Sequence, residues 1–461
     1  MAKEEIDFSG INKKNFLYEI GYKYMHFVHN YVYYRQYRVN GKQNLPKDEG
    51  YLIISNHQNS LNDALGILFA TGRKHPVFIA RADMFRTPML AKIMKALKIM
   101  PAYRVRDGVE ELGKNEEIFR QSARIISEGD PIALFPEALH QNGRYLGVFK
   151  KGFARIAFET VEQSDFKMKL KIVPMANNYS DYFRFQSKLN MNIGEPFEFT
   201  ELYDIYKTHP ERARYLLAQK AHKAVEDLMV NLDDTENYDA LETLCTIYRK
   251  EYIHDHKLRP FNSITSETEA DQAIANKLRE CRKKDPGRYA SLVEKAGEYG
   301  GLLNDLKLRD WIFTRRRHSY VSMIVRTVLW LLFIPIWLVC AVLNLIPFWT
   351  GYIFTRNVKD KLLHPSFHFA VGALITMPLW YLTVAVVIAL VAHTWWYGAI
   401  ALILLPFTII IFSRSTGSLK KLVNRFRRSS FVSRKDKRFF KALDLRKQLV
   451  DDMDELMKNF E

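Results

Sequence analysis

The stretch Ser55-Asn56-His57-Gln58-Asn59-Ser60-Leu61-Asn62-Asp63 holds the residue types most able to do chemistry in this chain. A short apolar run, Tyr51–Ser55, reads as a buried strand that ends here, and Ala64–Thr71 continues as helix. A histidine therefore occupies the turn and an aspartate the first turn of the helix. Histidine is the side chain whose resting pKa suits a general base near neutrality. A nearby carboxylate can hold its tautomer and stabilise the imidazolium. No serine or cysteine shows a strand–nucleophile–helix arrangement, so the pair points to direct attack by an acceptor hydroxyl and not to a covalent route. The spacing alone leaves a second reading open: an Asx or Ser helix cap with an incidental histidine has the same pattern.

The elements that must position this turn follow a βα rhythm. Strands are predicted at Val77–Arg81, Pro131–Phe135 and Lys171–Ala176, with Ile99–Tyr103 extended, Asn190–Ile193 leading into a Gly194-Glu195-Pro196 turn, and helices over Pro88–Leu97, Glu110–Glu128 and Gly152–Val161. Strands separated by helices predict an α/β domain, a mostly parallel sheet flanked by helices, with its chemistry at the strand C-termini. Before it, residues 15–38 are crowded with aromatics, which fits either a core helix or a helix lying among lipid headgroups. After it, residues 203–310 are charged, helical and poor in strand formers, with a break near Pro260.

Two apolar blocks come next. Val321–Trp349 carries a single charge, Arg326, and 367–412 carries none. The second is long enough for two spans turning near His393–Tyr397; the first is one tilted span or a hairpin bent at Pro335. The chain has 461 residues and a formal net charge of +17, but its basic runs (Arg315–Arg317, Arg356 to Lys361, Lys420 to Arg434) flank the apolar blocks. Charge so placed predicts anchoring to an anionic leaflet, with both blocks as hairpins and every basic stretch on the cytoplasmic side of the inner membrane, and no nucleic-acid partner. Three scattered cysteines fit a reducing compartment and supply neither a disulfide framework nor a metal site. The N-terminal MAKEEIDFSG has no apolar core of a secretion signal.

The His57 segment resembles the first block of the glycerolipid acyltransferase family, which contains glycerol-3-phosphate and 1-acylglycerol-3-phosphate acyltransferases. The family pattern is Asn-His, four residues, then Asp; here five residues separate His57 from Asp63, and Asn62 stands where the carboxylate is expected. Ile99-Met100-Pro101-Ala102-Tyr103-Arg104-Val105-Arg106 resembles the second block, Leu134-Phe135-Pro136-Glu137 the third without its Gly-Thr continuation, and Ile172-Val173-Pro174 the fourth.

The resemblance implies the glycerolipid acyltransferase fold over 39–202. It also implies His57 as base oriented by Asp63, and Glu137 near an acceptor hydroxyl or the base. Arg104 and then Arg106 would bind the acceptor phosphate, with Lys150 and Lys151 adding charge. Acyl-CoA or acyl carrier protein would be the donor co-substrate, a small phosphorylated glycerol the acceptor, and membrane phospholipid the surroundings, with no metal or bound cofactor. The helix start at Asn59–Ser60 is a candidate oxyanion donor. The expected organisation is an interfacial N-terminal helix region (1–38), the catalytic domain, a charged helical region (203–318), transmembrane or re-entrant hairpins (319–413) and a basic cytoplasmic tail (414–461). An amino-acid lipid as acceptor, or a catalytically impaired membrane scaffold, are the competing readings.

Overall fold

In the computed structural model, the described residues are 8–85, 87–103, 110–137, 141, 143–314 and 319–458. Two compact units are present. The first comprises residues 1–31, 36–182 and 188–229; the second comprises 32–35, 183–187 and 230–461.

The first unit is built on a seven-stranded sheet: β1 (Gln36–Asn40), β2 (Tyr51–Ser55), β3 (Val77–Arg81), β4 (Ile99–Ala102), β5 (Ile132–Leu134), β6 (Lys171–Tyr179) and β7 (Lys188–Ile193). Their spatial order is β1-β7-β6-β2-β5-β3-β4, and every neighbouring pair is parallel except β6–β7. A parallel sheet needs both faces covered, because its crossovers lay helices on them. Here α2 (Leu61–Thr71), α3 (Pro88–Ala96), α4 (Lys114–Ser127) and α5 (Gly152–Glu162) are the crossovers, and α6 (Tyr203–Thr208) and α7 (Pro210–Glu226) follow the last strand. Leu52, Ile54, Ile132, Ile172, Phe153 and Phe158 are buried in the core beneath them. β2 is buried at every position, as a central strand must be.

Two expectations are corrected at the N-terminus. α1 (Phe16–Phe27), capped by the Asn15 side chain on the Tyr18 amide at 2.8 Å, has no buried residue and so is not a core helix. Phe16 and Leu17 are 82% and 77% exposed. The aromatic run also does not stay helical to residue 38: a π-helical turn over Val28–Tyr33 ends it, and Gln36–Asn40 becomes the edge strand β1.

The second unit contains α8 (Tyr238–Asp255), α9 (Ile264–Lys284), α10 (Pro286–Leu306), α11 (Tyr320–Leu343), α12 (Leu345–Thr355), α13 (Lys361–Val391, with a π-helical stretch over His368–Thr376), α14 (Trp395–Ser433) and α15 (Lys437–Lys458). α11, α13 and α14 are long and apolar enough to cross a membrane, which supports membrane association. The break in the first apolar block falls at Asn344, and α11 continues unbroken through Pro335. α8, α9, α10 and α15 share a separate hydrophobic core.

Candidate active site

Three parallel strands deliver the site. β2 lies between β5 and β6, with Ile54 in register with Leu134 on one side and Pro174 on the other. Parallel strands end at the same edge, so the residues just past them meet: His57 after β2, Glu137 after β5, and Tyr179 at the end of β6. The turn out of β2 is set by Asn56, whose fully buried side chain continues the ladder to β6. Its Nδ2 donates to the Asn177 carbonyl at 3.0 Å, and its Oδ1 accepts from the Asn177 amide at 2.8 Å.

His57 and Asp63 are brought together despite the extra residue between them. His57 Nδ1 lies 2.9 Å from Asp63 Oδ2. The same oxygen accepts the amides of Gln58 at 2.8 Å and Asn59 at 2.6 Å, while Asp63 Oδ1 accepts the Tyr179 hydroxyl at 2.7 Å. The loop closes because Ser60 takes a left-handed conformation, φ 43°, uncommon for a residue with a side chain and a local strain held by its surroundings. Asn62 is turned away, its Nδ2 donating to Asn59 Oδ1 at 3.2 Å. The Asn59 amide, expected as an oxyanion donor, is therefore committed to Asp63. The Asp63 side chain is fully buried and that of His57 is 22% exposed, so the imidazole alone of this pair is presented outward. A carboxylate on Nδ1 fixes the proton there and leaves the Nε2 lone pair for base work. The imidazole is stacked on the Phe135 ring, with centroids 4.0 Å apart and planes 12° from parallel.

Glu137 sits beside this pair as a two-sided clamp. Its Oε1 accepts the His57 amide at 2.7 Å, and its Oε2 accepts the Gly147 amide at 2.7 Å. Burial raises its carboxyl to about 7; Asp63 adds to the rise, and the two amides and Gln141 oppose it. Gln58 ties down the same loop. Its Nε2 donates to the carbonyls of Gly143 at 3.0 Å and Tyr145 at 3.3 Å, and its Oε1 accepts the Tyr182 hydroxyl at 2.7 Å. The segment Gly143–Gly147 is thus pinned across the histidine turn.

Of the expected phosphate-binding residues, Arg104 and Arg106 lie outside the described residues. Lys150 is exposed just past the loop, its amide bonded to the Pro136 carbonyl at 2.9 Å. Lys151 is also exposed, and its ammonium pairs with Glu211 at 3.0 Å, a partner outside the His57–Glu137 group. Among the described residues no group of three His, Cys, Asp or Glu side chains is placed to hold a metal. Tyr179, Tyr182 and Gly147 were not singled out by the sequence. The signal for Tyr179 was its place near a strand end, hidden because the strand is predicted only as far as Ala176 and runs on to Tyr179 in the structure.

Comparison with known proteins places this constellation in context. An acyltransferase family model matches residues 36–178, the stretch from β1 to the end of β6. A chloroplast 1-acyl-sn-glycerol-3-phosphate acyltransferase from Brassica napus is 26% identical over 123 residues, 26% of this chain and 33% of that protein. A probable 1-acyl-sn-glycerol-3-phosphate acyltransferase from Mycoplasma pneumoniae is 30% identical over 120 residues, 25% of this chain and 42% of that protein. The chain thus spans a third to two-fifths of the length of these curated relatives. The crystal structure of the 1-acyl-sn-glycerophosphate acyltransferase from Thermotoga maritima aligns with a TM-score of 0.32 at 18% identity, over 46% of this chain and 79% of that one.

Proposed function

We propose that residues 36–178, which match an acyltransferase family model, form a glycerolipid acyltransferase domain, and that the protein moves a fatty acyl chain from acyl-CoA or acyl carrier protein to a hydroxyl of glycerol-3-phosphate or 1-acylglycerol-3-phosphate. The observation that carries the proposal is the buried Asp63 carboxylate on His57 Nδ1 at the C-terminal edge of the sheet.

The reaction runs as one displacement. The acceptor phosphate docks on Arg104 and Arg106, with Lys150 nearby, which sets its hydroxyl against His57 Nε2. Nε2 takes the hydroxyl proton while the oxygen attacks the thioester carbonyl, and the imidazolium formed is stabilised by Asp63. Collapse of the tetrahedral adduct breaks the carbon–sulfur bond, and the thiolate leaves with the proton returned from His57. Ester and free thiol are the products. Glu137 has both oxygens on backbone amides, so its part is to hold the His57 turn and the Gly143–Gly147 loop in place. The exposed aromatic and aliphatic side chains of α1 rest among lipid headgroups, and α13 and α14 tether the domain where acylated glycerol phosphates reside. The catalytic domain faces the cytoplasm, the side on which the basic flanks of the apolar helices lie.

A different acceptor, such as an amino-acid lipid, draws support from Ala138-Leu139-His140 standing after Glu137 where the family has Gly-Thr. The test offers the purified protein glycerol-3-phosphate, 1-acylglycerol-3-phosphate and a lyso-amino-acid lipid, each with acyl-CoA and with acyl carrier protein. The expected result is ester formation with a phosphate acceptor. Turnover with the amino-acid lipid alone contradicts the proposed acceptor, and no turnover with any pair contradicts the activity.

A further inference from the structure

The connections within the second unit limit how often the chain can pass through a bilayer. α8, α9 and α10 precede the apolar helices and α15 follows them, yet the four share one core in which Leu449 and Met453 of α15 are buried with Leu244, Tyr248, Leu292 and Tyr299. Polar links run across the same boundary. Lys295 pairs with Asp452 at 2.7 Å, the Tyr248 hydroxyl donates to Asp454 at 2.6 Å, and Arg446 Nε donates to Asp310 at 2.8 Å. A bundle with charged outer faces cannot be divided by hydrocarbon, where each unpaired charge costs several kcal/mol or more. Both ends of the apolar region therefore lie on one side, and the number of crossings is even. Three helices long enough to span cannot each be a crossing.

The packing of α11 and α12 identifies the one that is not. α11 runs antiparallel to α14: Met323 Sδ lies 3.7 Å from the Ser429 hydroxyl, and Trp337 Nε1 donates to the Thr416 hydroxyl at 3.0 Å. At the end of α11, Asn344 Nδ2 donates to the Thr408 hydroxyl at 2.9 Å and to the Cys340 carbonyl at 2.7 Å, while the Tyr381 hydroxyl donates to Asn344 Oδ1. α12 then runs back along α13 towards its start, so that the Thr355 hydroxyl lies 3.2 Å from His368 Nε2. Both arms lead away from the turn at 392–394 that joins α13 to α14. Thr408 is 13 residues from the start of α14 at Trp395, about 20 Å at helical rise. A hydrocarbon core is about 30 Å thick, so an apex at Asn344 stops well short of the far side.

We propose that Tyr320–Thr355 is a re-entrant hairpin with its apex at Asn344, seated in one leaflet of a lipid bilayer, and that α13 and α14 alone cross. The outward side chains beside the apex suit that occupant: Val342 and Phe348 are each 67% exposed. The polar apex is satisfied from within by Thr408 and Tyr381, as non-helical backbone in hydrocarbon must be. Arg356, Lys359 and Lys361 then lie on the same face as Lys420–Arg428, where an anionic leaflet attracts them. None of this depends on which reaction the first unit performs.

The test places single cysteines at Ser319, Lys359, His393 and Lys435 in the full chain, reconstituted in one orientation in phosphatidylethanolamine–phosphatidylglycerol vesicles, and labels them with a membrane-impermeant maleimide. The native cysteines are buried, so the unsubstituted protein is the background control. Ser319→Cys, Lys359→Cys and Lys435→Cys are expected to label from one face and His393→Cys from the other. Lys359→Cys labelling with His393→Cys means that the first block crosses, and His393→Cys labelling with Ser319→Cys means that the second does not; either overturns the proposal. If Lys359→Cys is unreactive from both faces, Asn357→Cys reads the same connection.

Discussion

At the scale of single residues, the account rests on how completely Asp63 is engaged. Asp63→Asn keeps the shape but removes the charge that stabilises the imidazolium, and with one acceptor oxygen it cannot serve both the His57–Gln58–Asn59 donors on one side and the Tyr179 hydroxyl on the other. We expect kcat to fall about 10²–10⁴-fold, the range associated with losing an oriented general base, with little change in acceptor KM. Tyr179→Phe removes only the hydrogen bond to the other carboxylate oxygen, a loss of about 1–3 kcal/mol, and steady-state rates should place it between wild type and Asp63→Asn. Glu137 gives a pH signature. Its carboxyl titrates near 7 in the fold against 4.5 unperturbed, so the folded state holds this proton more tightly than the unfolded one. The stability it contributes is complete below pH 4.5 and is lost as pH rises through about 7. Thermal melting of wild type against Glu137→Gln should therefore converge or cross between pH 5 and 8, and a gap constant across that range would contradict the buried, raised carboxyl. That Asp63, and not Asn62, meets the His57 ring was legible because Asn62 cannot supply a charge. What closes the longer spacing, the left-handed turn at Ser60, was not, since nothing in a serine announces positive φ.

At the scale of elements, the site is a property of one sheet edge, and the loop Gly143–Gly147 is its least regular part. A Cβ on Gly147 would stand 2.2 Å from Gln141 Nε2 and 2.7 Å from Glu137 Oε2. Gly147→Ala should displace the Glu137 clamp and lower kcat/KM by about tenfold or more through misplacement of the His57 turn, while far-UV circular dichroism stays unchanged. Wild-type kinetics in that variant would mean that the loop does not position the base. β2 and β3 were read from sequence with their observed limits, because continuous apolar runs bounded by turn residues have no other use in a parallel sheet. β1 was missed for the converse reason. It is a half-exposed edge strand of sequence Gln-Tyr-Arg-Val-Asn, with no apolar face to betray its period, at the end of an aromatic run that favours helix. The break at Asn344 was likewise hidden by Pro335, the more obvious helix breaker. A proline removes one backbone donor, and a helix can continue past it when neighbouring helices hold it in place.

At the scale of the whole molecule, the second unit ties both ends of the apolar region into one core, and a lesion in that core should be felt as loss of assembly and not of chemistry. Leu449 is fully buried there, so Leu449→Ala should cost about 2–5 kcal/mol and lower the melting temperature of the full chain. Acyl transfer below the new melting temperature is expected to be unchanged, which thermal unfolding and activity measured on one preparation will check. The sequence showed that 203–310 is helical and that the apolar blocks are anchors. It could not show that the C-terminal helix completes the bundle, since that pairing joins residues more than a hundred positions apart and leaves no local pattern. The most direct test of the central claim is acyl transfer from acyl-CoA and acyl carrier protein to glycerol-3-phosphate and 1-acylglycerol-3-phosphate, with His57→Ala measured beside wild type at equal folded fraction. The account predicts turnover in wild type and its loss, by about 10²-fold or more, in the variant. Equal turnover in the two proteins would contradict His57 as the base, and its absence in both would contradict the proposed reaction.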